Sequence, residues 1–216
     1  MKKLKAGLIV FGIFFTFSGY AQEEFFEKNT GLSASYSFEK TGNSDDIGDS
    51  QLSLHFKNGL ILAGDYFKIS NSDFYGGSIG YLINNNDNNK LKALLGLSYG
   101  QLSDEFNRYN QYKIFVMSFG LVKILFPNSN FPSSFHASTS VNIFFYDRSY
   151  SYLQPTATFG YSQCFFVNNV IYPVIGISKS ILLFNNSSSG NNRDFNIHVG
   201  LNIKLSEPEK PKKEIN

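Results

Sequence analysis

The sequence predicts an all-β protein, an up-and-down antiparallel barrel of about ten strands, with eight as the second count. Apolar and polar residues alternate with period two in run after run, and the runs are separated by clusters of Gly, Asn, Ser and Asp. No helix-period pattern of useful length competes with them. The 23 Phe and 13 Tyr among 216 residues, with no Trp, add a bias towards strands.

The chain opens "MKKLKAGLIVFGIFFTFSGYAQ", with a basic start, an apolar stretch from Ala6 to Phe17, and small residues Gly19 and Ala21 before Gln22. This is the pattern of a secretory signal peptide over residues 1–21, its apolar part too short for a spanning helix. No cysteine follows the cut, so a lipid anchor is not expected. Removing Lys2, Lys3 and Lys5 takes the net charge from +2 to near −1. Residues 22–30 are a charged lead-in, and residues 31–205 hold the barrel. The end, "SEPEKPKKEIN", residues 206–216, is rich in Pro, Lys and Glu and reads as a disordered charged tail.

The strands are expected at 31–39, 50–57, 60–69, 76–84, 90–100, 111–124, 133–146, 153–166, 171–184 and 194–205. Their lengths bracket the 9 to 11 residues with which a tilted strand crosses a bilayer. Connections after the odd runs, such as "TGNSDDIGDS" and "NNSSSGNNR", are on average longer than those after the even runs, such as "NG" and "NN". Short turns at one end and longer loops at the other suit a membrane barrel with both termini on the periplasmic side. Asp45, Asp46, Asp49, Asp104, Glu105, Arg108, Arg148 and Arg193 fall in or beside the odd loops, whereas Lys57, Lys90, Lys92 and Lys123 flank the even turns.

Alternation alone does not say which face meets water, because soluble and membrane barrels share it. The polar partners discriminate. A water-exposed strand face normally carries Lys, Glu, Thr and Arg; here it is dominated by Ser, Gly and Asn, which suit the crowded inside of a narrow barrel. The apolar face carries large aromatics at strand ends (Tyr36, Tyr66, Tyr99, Phe135, Phe145, Phe195), as lipid-facing girdles do. The apolar side is therefore expected to face lipid. Three places fit less well. "YKIFVMSFGLVKIL" is apolar on both faces, Asp65 shares its inward face with Ile61 and Phe67, and Lys179 falls on the lipid face and must snorkel to the rim.

In "HVGLNIKL" the polar His198 is followed by Gly200 two residues on, then Ile203 and Leu205 at five and seven. The chain resembles the small outer-membrane β-barrel proteins of Gram-negative bacteria, many of which end in such a strand, and "YAQ" at the signal junction resembles those of the Bacteroidetes. The resemblance implies signal-peptide-dependent export to the outer membrane. It also implies assembly machinery reading His198, Gly200, Ile203 and Leu205, and contact with lipid and lipopolysaccharide.

Mean hydropathy of −0.17 excludes a helical membrane protein, and no concentrated basic face invites nucleic acid. Cys164, the sole cysteine, forbids an internal disulfide. "GLSYG" matches a nucleophile elbow, but Ser98 lies inside an alternating strand instead of a strand-to-helix turn. His55 and His136 fall near turn-side strand ends and His198 nearer the loop side, so a shared metal is not expected; neither is any cofactor. Asp65, Lys92, His136, Asn142, Gln154, His198, Asn202 and Lys204 are expected in the lumen as a hydrogen-bonded plug, since ten strands lie near the filled end of the barrel series. The loop carboxylates and arginines are candidates for cation and lipopolysaccharide contacts. These features point to a structural or surface-interaction role. The alternatives are a narrow channel for small solutes, an outer-membrane surface hydrolase using the rim aspartates, and a secreted soluble barrel holding an apolar ligand. The oligomeric state is not legible.

Overall fold

A computed structural model describes residues 30–39, 47–69, 72–83, 91–104, 112–126, 129–146, 150–165, 170–183 and 195–205. The predicted signal peptide, the rest of the lead-in before Thr30 and the charged tail lie outside these residues. Ten strands follow one another: β1 Gly31–Glu39, β2 Ile47–His55, β3 Leu60–Ile69, β4 Ser72–Ile83, β5 Leu91–Asp104, β6 Tyr112–Leu125, β7 Ser133–Tyr146, β8 Tyr150–Cys164, β9 Ile171–Leu182 and β10 Asn196–Lys204. Each pairs antiparallel with its neighbours in sequence, and β10 returns to β1, Gly31 opposite Lys204 and Glu39 opposite Asn196, to close the barrel.

The register sets the barrel's shape. Stepping sideways from Leu182 through Thr156, Ser140, Ser118, Gly96, Gly80, Ile61, His55, Gly31 and Lys204 leads back to β9 at Val170, twelve residues below the start. With a rise of about 3.3 Å per residue and a strand spacing of about 4.8 Å, that stagger corresponds to a tilt of roughly 40° and a backbone radius of roughly 10 Å. The same spacings put the lower ends of the strands within roughly 7 Å of one another along the barrel axis. At the other end, which carries the connections after the odd strands, β5–β8 rise roughly 10 Å or more above β10 and β1.

The pleat separates side chains as the sequence predicts. In β7, Phe135, Ala137 and Thr139 are exposed, whereas Ser134, His136, Ser138, Ser140, Asn142 and Phe144 are buried. In β10, Ile197, Val199 and Leu201 are exposed while Asn196, His198 and Asn202 are buried. The outer wall is thus apolar: Leu52, Leu62, Ile79, Leu95, Leu97, Met117, Phe119, Leu121, Ile175 and Ile177 each leave more than two fifths of their surface open. Tyr66 and Tyr75 pack rim-side with ring centroids 5.2 Å apart, and Phe135 and Tyr161 pack at 5.1 Å nearer the turns. The doubly apolar β6 turns Met117, Phe119 and Leu121 outward and buries Ile114, Val116, Val122 and Ile124.

The connections at the loop end, residues 40–46, 70–71, 105–111, 147–149 and 183–195, are on average longer than those at the turn end, 56–59, 84–90, 126–132 and 165–170, by only a fraction of a residue, and one expectation about the loop end needs correcting. Strands β2, β4, β5 and β8 run three or four residues further into the odd connections than the apolar pattern does, because backbone pairing continues through Asp49, Asp73, Gln101 and Tyr150 whatever their polarity. Asp49, expected in a rim loop, sits inside β2 opposite Ser37 and is buried. Asp104 is the last residue of β5. Asp45, Asp46, Glu105, Arg108, Arg148 and Arg193 lie outside the described residues.

The predicted Asn-Gly turn is the β2–β3 hairpin. The Gly59 N–H donates to Phe56 O at 2.9 Å, Phe56 N–H donates to Leu60 O at 2.8 Å, and the Asn58 carboxamide accepts the Leu60 N–H at 3.1 Å. Gly59 has φ +91°, and a Cβ there would lie 2.5 Å from the Leu82 carbonyl oxygen, which belongs to β4 and has no room to retreat. Gly59→Ala should therefore destabilise the folded barrel by about 1–3 kcal/mol, through left-handed strain and backbone contact together. Denaturant unfolding followed by the gel shift between folded and unfolded forms checks this, and an unchanged midpoint would contradict it.

Candidate functional site

The interior is where the polar chemistry collects. Among the lumen residues picked out in the sequence, Lys92, Asn142, His198 and Asn202 are essentially sealed from solvent, and Asp65, His136 and Gln154 are buried. Lys204, at the turn-side end of β10, is only partly covered. With the inward side chains of every strand largely buried, this interior is filled by protein.

The polar half of the filling lies on β7–β10 with β1 and β2. Ser140 and Thr156 share a hydroxyl hydrogen bond, as do Thr158 and Ser180 at 2.7 Å. The Asn142 amide donates to Gln154 O at 3.0 Å, and the Ser33 hydroxyl donates to the Asn202 carboxamide. Ser162 Oγ and His198 Nε2 are 3.1 Å apart. On the facing side, the Gln51 amide donates to one Asp65 oxygen. Within the protein, Asp65 Oδ2, Asn142 Oδ1, Gln154 Oε1 and Asn196 Oδ1 have no hydrogen-bond partner among the described residues.

The other half is apolar, and the sequence reading missed it. Phe74, Leu82, Leu94, Ile114, Val116, Val122 and Ile124 of β4–β6 are buried, with Ile61, Leu82 and Leu94 forming one packed cluster. A hydrogen-bonded plug is thus half of the description, because an inward position of a narrow barrel is a protein interior and accepts either kind of side chain. The signal was the double apolarity of β6 and the pairing of Ile61 with Asp65 on one face. Cys164, Tyr172 and Val174 close the turn-side end between β8 and β9, and Ser98 sits buried mid-strand in β5.

Three buried rings lie on glycines of the adjacent strand. A Cβ at Gly100 would be 1.7 Å from Phe74 Cζ, one at Gly160 2.2 Å from His136 Nε2, and one at Gly176 2.1 Å from His198 Nε2. His136 therefore crosses β8 towards Ser178, and His198 crosses β9 towards Ser162, so these two imidazoles cover neighbouring glycines. His55 lies on β2, six register positions away along β10, and does not join them. Among the described residues no group of three His, Cys, Asp or Glu could hold a metal ion.

The strand that bears the expected assembly signal is the one that closes the barrel. His198 is buried, Gly200 pairs with Ser35 and Val174, and Ile203 with Leu32 and Ile171. Leu205 is exposed at the rim, its N–H donating to Thr30 O at 2.8 Å.

No protein-family model and no curated protein matches the chain. Among solved structures, it is similar to the β domain of the Bordetella autotransporter BrkA, at 10% identity and a TM-score of 0.46, covering 81% of this chain and 98% of that one. It is also similar to the KdgM porin in complex with disordered oligogalacturonate (11% identity, TM-score 0.45, covering 81% and 99%). A third is the NanC porin, at 13% identity and a TM-score of 0.43, covering 82% and 100%.

The Phe74 ring and Gly100 form a coupled pair. Gly100→Ala should cost about 1–3 kcal/mol by overpacking, and Phe74→Ala about 3–5 kcal/mol by emptying a sealed position. The double variant should cost less than the two together. Strict additivity in unfolding midpoints would show that ring and glycine do not share this space.

Proposed function

We propose that the protein is an integral outer-membrane barrel, exported through its signal peptide, with a structural or surface-interaction role, a lumen filled by its own side chains and no catalytic activity. The observation that carries this reading is the inverted distribution of polarity: hydrophobes cover the outer wall of a closed barrel while Ser, Thr, Asn, Gln and His are sealed inside. In water that wall would be an aggregation surface. In a bilayer it is the required one, because closure leaves no backbone edge unpaired. An outer-membrane barrel carries an apolar band roughly 25 Å tall flanked by aromatic girdles, and Tyr66 with Tyr75 and Phe135 with Tyr161 stand towards the two ends of this wall.

In this reading the turn end faces the periplasm, β10 with His198, Gly200, Ile203 and Leu205 is the segment the assembly machinery engages, and the loop aspartates and arginines meet cations and lipopolysaccharide. One observation favours a narrow channel as a second reading. The lumen oxygens of Asn142, Gln154 and Asn196, unpartnered among the described residues, all lie towards the loop end, and loosening the packing there to admit a thread of water would satisfy them.

Fractionation decides the main reading. The protein should stay with membranes through a carbonate wash and migrate faster on a gel before boiling than after. Release into the soluble fraction would contradict it. Planar-bilayer recording should show no stepwise conductance, whereas discrete steps would select the channel.

A further inference from the structure

On the outer wall, a cation stands at the loop-side end of the β9–β10 ladder, one residue beyond the pairing of Asn196 with Ser178. Lys179 of β9 points outward three residues below the end of its strand, with its ammonium 5.1 Å from the centroid of the Phe195 ring. Among the described residues no carboxylate is paired with it. A lysine on the lipid face is costly at the midplane and less so towards the interface, so its place among hydrophobes calls for a counter-charge. The aromatic face offers part of one.

Lys179 also stands at the end of a groove. A cleft of about 530 Å³ runs obliquely over the outside of β6–β9, walled by Leu121, Phe135, Phe159 and Ile177 and floored by the small Ala137. Lys123 marks its other end near the turns, three strands and two residues away, roughly 16 Å along the wall. An oily channel with a cation at its loop-side mouth is complementary to an amphiphile that carries an acyl chain and a phosphate.

We propose that this groove is a specific site for a phosphorylated acyl lipid of the outer leaflet, lipid A, with a phosphate on Lys179 and an acyl chain lying over Ala137 between Phe135 and Phe159. The site rests on the proposed reading that the loop end of the barrel faces outward in an outer membrane. Lys123, at the turn end, lies at the level of the opposite leaflet and takes no part in holding this phosphate.

Native mass spectrometry of the full detergent-purified protein, titrated with bisphosphorylated lipid A, the same lipid dephosphorylated, or phosphatidylglycerol, tests the site. Wild type should retain bisphosphorylated lipid A. Lys179→Gln should weaken retention about tenfold, the loss of one charge-assisted contact, and Ala137→Phe should abolish it by filling the floor, while Lys123→Gln leaves it unchanged. Dephosphorylated lipid should be lost readily. Equal retention by Lys179→Gln, or equal retention of the dephosphorylated lipid, would overturn the proposal, as would preferential retention of phosphatidylglycerol that depends on Lys123. Each variant is first checked for the heat-dependent gel shift. A protein that shifts and stays membrane-bound yet ignores the phosphate refutes the lipid site alone, whereas a wild type that leaves with the soluble fraction refutes the membrane reading itself.

Discussion

Everything in this molecule depends on the ladder between β1 and β10. Nine antiparallel hairpin contacts would make a sheet with two raw edges, each a row of unpaired N–H and C=O groups. The pairing of Gly31–Glu39 with Lys204–Asn196 removes both edges at once. With both gone, the apolar outer wall of Leu, Ile and Phe runs around the barrel with its strand backbone paired throughout. The same closure fixes the circumference, and with it how much side chain the inside can hold.

That inside is tight, and its contents follow from the limit. At a radius of roughly 10 Å the inward side chains of facing strands meet. Serine and glycine fill most of the polar positions, and where a ring is admitted, a neighbouring strand lowers its surface to glycine: Phe74 on Gly100, His136 on Gly160, His198 on Gly176. The filling divides into a hydrogen-bonded half and an aliphatic half, and the exceptions, Asp65 Oδ2, Asn142 Oδ1, Gln154 Oε1 and Asn196 Oδ1, are buried at a cost.

Much of the fold was legible in the chain, and what was hidden had a physical reason. The limits of β3 at Leu60–Ile69 and β7 at Ser133–Tyr146 coincide with the apolar runs because these strands end where the outward apolar pattern ends. Strands β2, β4, β5 and β8 outrun their patterns because pairing needs only backbone, so Asp49 and Tyr150 extend ladders that hydropathy reads as loop. In the lumen, burial of Asp65, His136, Asn142 and His198 could be anticipated from parity along single strands. The glycine seats could not, since they join residues on different strands through a register that no one-dimensional pattern contains. The same holds for Lys179, whose isolation was visible but whose ring partner and groove were not.

The stagger of the strands has one more outcome. Because β5–β8 overtop β10 and β1, the mouth of the barrel is cut on a slant, like a quill. The described wall of β5–β8 thus stands as a parapet of paired backbone above the low lip of β10 and β1, and the two flanks of the barrel present unlike terrain.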